Sequence, residues 1–71
     1  MPKMIAVDST SIAAVGYDED RRELFVRFLS DGTYVYHDVD APVFEALLAA
    51  ESKGTHFNRE VRPHYRYTKL S

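Results

Sequence analysis

Apolar and polar positions alternate most clearly in the middle of the chain. There ELFVRFL, from Glu23 to Leu29, sets Leu24, Val26 and Phe28 at period two with Arg27 between them. Aromatic and β-branched residues at that period predict a strand. The SDG that follows is a turn signal, and TYVYH resumes the alternation, with Tyr34 and Tyr36 on one face and Thr33, Val35 and His37 on the other. A hairpin is expected, and its turn length decides where the tyrosines point. A two-residue Asp31-Gly32 turn sets Phe28 opposite Val35 and leaves both tyrosines beside Arg27. A three-residue Ser30-Asp31-Gly32 loop, with Gly32 left-handed, sets Phe28 opposite Tyr34 and Val26 opposite Tyr36. The longer loop is preferred because it gathers Leu24, Val26, Phe28, Tyr34 and Tyr36 into one apolar face that can receive a helix. Phe25 and Leu29 are then left on the far side, where a protein partner or a second copy of the chain would cover them.

Upstream, SIAAVGY from Ser11 to Tyr17 is short, apolar and interrupted by Gly16, and the charged run DEDRR separates it from the hairpin. It reads as a third antiparallel strand, of undetermined register. Downstream, Asp40 can cap a helix that accommodates Pro42 in its first turn, with Val39 closing onto Phe44 as a hydrophobic staple. Phe44, Leu47, Leu48 and Glu51 follow the i, i+3, i+4, i+7 stripe, so three apolar side chains face the sheet with Val43 at their edge. Ser52 offers a second cap. Phe57 and Val61, four apart, give a second short helix one apolar ridge before Pro63 blocks its continuation, and Gly54 allows close approach to the first helix. HYRYTKL after Pro63 alternates again, as an extended tail lying across the sheet edge. These elements predict an α+β fold: a three-stranded antiparallel meander followed by two helices packed on one face. Residues 1–8 are expected to be a flexible N-terminal arm and residues 9–71 a single domain. The expected core is Leu24, Val26, Phe28, Tyr34, Tyr36, Phe44, Leu47, Leu48, Phe57 and Val61.

Length and composition narrow the class. A chain of 71 residues, 45% apolar and without cysteine, must be held by packing or self-association, since a domain this small buries only about 60% of its unfolded surface. The absence of thiols fits a reducing cytoplasm. The opening MPKMIAVDSTS has no sustained apolar stretch and resembles neither a signal peptide nor a membrane span, so no membrane partner is expected.

Charge is unevenly placed. The net charge is −2 at pH 7, yet residues 1–51 carry four bases against ten acids, while residues 52–71 carry Lys53, Arg59, Arg62, Arg66 and Lys69 against Glu60 alone. Such asymmetry can hold an anionic partner at one end and repel it elsewhere. The same cations also suit a plain solvated face, since surface charges must sit somewhere.

The order of these pieces resembles a known family. IAAVGYD, LFVRF, DG-x-Y-x-Y, APVFEALLAAESKGTHFN and the closing Tyr and Leu are similar to the KTSC domain. That domain is named for its occurrence at the C-terminus of some lysyl-tRNA synthetases and is also found as a stand-alone bacterial protein. The central Y-x-Y is Tyr34-Val35-Tyr36 here, and S-x-G-x-x-F-N is Ser52, Gly54, Phe57 and Asn58. The likeness runs from about Val7 to Leu70. It implies a three-stranded sheet with C-terminal helices and an RNA-binding role without assigned binding residues.

The residues themselves suggest how such a role would work. Lys53, Arg59, Arg62, Arg66 and Lys69 can neutralise phosphates, and His56, Tyr65 or Tyr67 can stack on unpaired bases. Tyr65 is the stacking residue to test first, although tyrosines at period two also suit packing against a core or sheet edge. Asn58 and His56 flank the buried Phe57: Asn58 is expected to close a hydrogen bond between helix and sheet or tail, and His56 to stay partly exposed. Catalysis finds little support. The serines lie in turns, caps or the terminus without a nucleophile elbow, and no glycine-rich phosphate loop is present. His37, His56 and His64 lack a metal-ligand pattern, and the run from Asp18 to Arg22 reads as a solvated loop. No cofactor, metal or catalytic residue is expected. The leading expectation is a non-catalytic accessory module for tRNA or other structured or single-stranded RNA. The alternative is a protein-interaction or self-association module that uses Phe25, Leu29 and an exposed sheet edge.

Overall fold

Period-two alternation does set Leu24, Val26, Phe28, Tyr34 and Tyr36 on one face, because the central hairpin closes through three residues, Leu29 to Asp31. In the computed structural model, which describes residues 2–71, the strands are β1 (Ile5–Ala6), β2 (Ile12–Asp18), β3 (Glu23–Phe28), β4 (Gly32–Tyr36) and β5 (Tyr67–Lys69). They form one antiparallel sheet in the order β1-β2-β3-β4-β5. Gly32 is left-handed as expected, at φ 81°. The register differs from the expected one by two residues: Phe28 lies opposite Gly32, Val26 opposite Tyr34 and Leu24 opposite Tyr36. An even shift leaves every side chain on its face.

The sheet has five strands, not three. β1 and β5 are two and three residues long and both lie at an edge; β1 is too short to show a period. β5 is the alternating segment after Pro63, hydrogen-bonded to β4 with Tyr36 opposite Tyr67 and Tyr34 opposite Lys69. Ile5 and Ala6, within the expected arm, pair with Val15 and Ala14. β2 contains a bulge between Ile12 and Ala14. The extra residue brings Ile12 and Val15, three apart, onto the same buried face, which strict alternation would forbid.

Helix α1 (Ala41–Ala49) begins after Asp40 with proline in its first turn, but the Asp40 side chain makes no cap bond. Its carboxylate instead accepts two hydrogen bonds from Arg22, at 3.0 and 2.7 Å. Arg22 is itself left-handed, at φ 55°. Ser52 does cap α2 (Lys53–His56), accepting from the Thr55 amide at 3.4 Å. The second helix then widens into a π-helical segment, Phe57–Val61, closed by the Arg62 amide donating to the Phe57 carbonyl at 2.9 Å. Gly54 approaches Ser11 ahead of β2 and not α1, and a Cβ there would press on the Ser11 hydroxyl.

Both helices pack on the face carrying Leu24 and Val26. Ile12, Val15, Leu24, Val26, Tyr36, Val39, Leu47, Phe57 and Val61 form the core, with Tyr17, Phe28, Tyr34, Val43, Phe44, Leu48 and Tyr65 packed half-buried around it. Tyr36 and Phe28 meet Phe57 edge-on, at 5.2 and 5.4 Å between ring centres. Such pairs add about 0.5–1.5 kcal/mol each beyond the area they bury.

The far face is also partly closed. Phe25, expected to be uncovered there, is only 8% exposed, whereas Leu29 is 61% exposed. Phe25 lies opposite Gly16, and a Cβ on Gly16 would collide with the Lys3 carbonyl and the Met4 sulfur, each at 2.8 Å. Residues 2–4 therefore cross the sheet at Gly16, beside Phe25, with Pro2 and Met4 half-buried. The missing side chain is what admits them.

Candidate nucleic-acid interface

The cations after Glu51 do not form one patch; they fall into three places. Lys53 opens α2, and its ammonium reaches back to the end of α1, where it donates to the Ala50 carbonyl at 2.9 Å. His56 and Arg59 share that end, lining a shallow cleft with Ala50, Glu51, Ser52 and Thr55, and Arg59 is bonded to Glu60 at 3.0 Å. Arg66 precedes β5 and Lys69 ends it, and they pair with carboxylates at opposite ends of β4: Arg66 with Asp38 at 3.0 Å and Lys69 with Asp31 at 3.3 Å. Arg62 alone of the five cations has neither a carboxylate within salt-bridge distance nor a backbone carbonyl partner among the described residues. Its guanidinium lies 5.9 Å above the centre of the Phe57 ring.

The tyrosines divide differently from expectation. Tyr65 packs against the core and lines a cleft of about 280 Å³ with Pro42, Val43, Ala46, His56 and Glu60, which is a poor place for a stacking platform. Tyr67 is 58% exposed. As the cross-strand partner of Tyr36 it lies on the helix-bearing face, at the β4–β5 end. Its ring centre is 5.5 Å from Tyr34 and 5.6 Å from Tyr36. Lys69, opposite Tyr34 on the same face, holds its ammonium 5.7 Å from the Tyr34 ring.

Tyr67, Tyr34 and Lys69 thus make an aromatic and basic surface, and Arg62 lies beside the buried Tyr36 and Phe57. Burial pushes the Tyr36 hydroxyl up in pKa, and nearby Arg62 pulls it part of the way back. Tyr34 donates to Asp31 at 2.9 Å. That bond, then Lys69, and more distantly Arg62, hold the Asp31 carboxyl below the ordinary carboxylate range. The chemistry available here is stacking on Tyr67 and charge pairing with Arg62 and Lys69.

A search among known protein families finds the KTSC domain model matching residues 8–65. The chain belongs to the KTSC domain family. A crystal structure of a KTSC domain protein from Yersinia pestis superposes with a TM-score of 0.97 over the whole of both chains at 30% identity. An uncharacterized protein of Stutzerimonas stutzeri (strain A1501) is 42% identical over 69 residues, covering 96% of this chain and 97% of its own. A protein of Tsukamurella paurometabola is 43% identical over 67 residues, covering 94% and 100%. The KTSC motif residues serve the fold: Tyr34 and Tyr36 pack on the sheet, Ser52 caps, Gly54 admits Ser11 and Phe57 fills the core. Asn58, expected to bridge helix and sheet, is exposed.

Among the described residues of this KTSC domain, no group of three or more His, Cys, Asp or Glu side chains could hold a metal. No described helix is long and apolar enough to cross a membrane. Sequence reasoning named Tyr67 as a stacking candidate but put Tyr65 ahead of it, and placed Tyr34 in the core. The usable signal was the second alternation after Pro63, which pairs Lys69 with Tyr34 once it is taken as a strand.

Proposed function

We propose that this domain is a non-catalytic, single-strand RNA-binding module whose contact surface is Tyr67 with Arg62 and Lys69, flanked by Tyr34. The observation that carries it is the exposed Tyr67 ring packed beside Tyr34, with Lys69 against the Tyr34 ring and Arg62 over the Phe57 ring. Every base has a π-face, so such a surface takes unpaired bases with little sequence preference, and the cations hold the adjoining phosphates. Affinity would be modest alone and useful when the domain is tethered to a larger enzyme or another RNA-binding unit.

The test is titration of an unstructured RNA oligonucleotide at several salt concentrations. Two phosphate contacts predict a slope of log affinity against log salt no steeper than about −1.4, where five would give roughly −3.5. Arg62→Ala should halve that slope. Tyr67→Ala should weaken binding by about 5- to 100-fold, in line with one lost stacking contact, whereas Arg59→Ala should leave it unchanged. Salt-insensitive self-association lost on Leu29→Ser, with no RNA binding, would replace this reading with a protein-contact one.

A further inference from the structure

Asp31 is an odd neighbour for a phosphate site. It stands in the β3–β4 turn, and one carboxylate oxygen accepts from the Tyr34 hydroxyl at 2.9 Å while the other faces the Lys69 ammonium at 3.3 Å. Both donors belong to the proposed RNA surface, and both carboxylate oxygens are engaged by it. A phosphodiester presents the same pattern of anionic oxygens to the same two donors. The Asp31–Lys69 pair is exposed, with side-chain accessibilities of 59% and 51%, so an outside anion can exchange with it.

We propose that the Asp31 carboxylate is an internal stand-in for an RNA phosphate: it occupies the Lys69–Tyr34 subsite in the resting domain and swings aside when a strand seats on Tyr67. The inference rests on the reading above and adds a regulatory contact to it. Lys69 is held in place between encounters, and weak or isolated anions are turned away because they must first displace a tethered competitor. Selectivity for a strand follows, since stacking on Tyr67 and pairing with Arg62 supply what a lone phosphate lacks.

Asp31→Asn tests this directly. Asparagine suits the turn and keeps an acceptor for Tyr34, but it no longer competes as an anion. Asp20→Asn, an exposed site in the turn at the opposite end of β3, makes the same change of net charge away from the surface. Each protein is titrated with the same unstructured RNA oligonucleotide, and its fold is checked by its amide spectrum. The expected result is about 3- to 5-fold tighter binding for Asp31→Asn than for Asp20→Asn. The salt slope should also steepen, since Asp31 no longer takes up a cation on release, and Lys69→Ala added to Asp31→Asn should abolish the gain. If wild type binds and Asp31→Asn is no tighter than Asp20→Asn, the stand-in contact is overturned and the RNA reading survives. Binding by Asp31→Asn alone would support the contact and show the resting domain to be closed. If none of the proteins binds, both ideas fall.

Discussion

Tyr36 is fully enclosed by Phe57 and the sheet, and its hydroxyl is harder to ionise than a free tyrosine. A folded-state pKa above the unfolded value of about 10 means that the neutral side chain contributes its full share of stability below that pH, and that the share is lost as pH rises through the folded value. Melting temperature should therefore fall above about pH 10, and Tyr36→Phe should make that fall shallower. Part of it will remain, because Tyr17 and Tyr34 are also shifted upward. Asp31 has the opposite sign. Its depressed pKa contributes stability above the unfolded value of about 3.9, and that contribution is lost as pH falls through the folded value. Thermal melts should show Asp31→Asn losing less stability than wild type on acidification. At Gly32 the left-handed φ and the Ser71 carbonyl lying where a Cβ would stand leave no room for alanine. Gly32→Ala should cost at least about 1 kcal/mol in denaturant unfolding.

Among the elements, the amino-terminal segment offers the sharpest test. Gly16→Val should lift residues 2–4 from the far face, speeding hydrogen exchange at the Val7 amide, which donates to Ala13 at 3.2 Å. Amides of α1 on the other face should be unaffected. Phe57 lies at the start of the π segment and in the centre of the core, so Phe57→Ala should cost about 3–5 kcal/mol and threaten folding outright. The central hairpin, both helices and the Ser52 cap were legible because each has a period or a capping residue to read, whereas the Asp40 carboxylate goes to Arg22 instead of capping α1. The Leu24 and Tyr36 face was found despite a register off by two, since parity and not register decides facing. The bulge at Ala13 was hidden, because one inserted residue has no signature in a run of small apolar side chains. β1 was hidden by its brevity, β5 was legible as an alternating tail at the sheet edge, and the widening after Phe57 has no mark in FNREV, which suits either helix type.

For the whole molecule, charge counting was the weakest guide. Five cations in twenty positions suggested a single patch, but partners distant in sequence decide where two of them go: Asp38 takes Arg66 and Asp31 takes Lys69. Only a map of the β4–β5 pairing could have separated Arg62 and Lys69 from Lys53 and Arg59. The surface that remains is aromatic first and basic second, which carries a prediction about partner shape. A duplex RNA of matched sequence keeps its bases stacked and out of reach of Tyr67, so it should bind about tenfold more weakly than the single strand in the same buffer.

The placing of Ser71 has a practical bearing on all these measurements. Its hydroxyl accepts from the Thr33 amide at 3.3 Å and its carbonyl crowds Gly32, so any purification tag or fluorophore joined there would emerge next to Asp31 and Lys69, where it could block or mimic a ligand. A reporter attached ahead of Pro2 would leave from the opposite side of the sheet. Binding data from the two labelling schemes should disagree, and the discrepancy would itself map the surface.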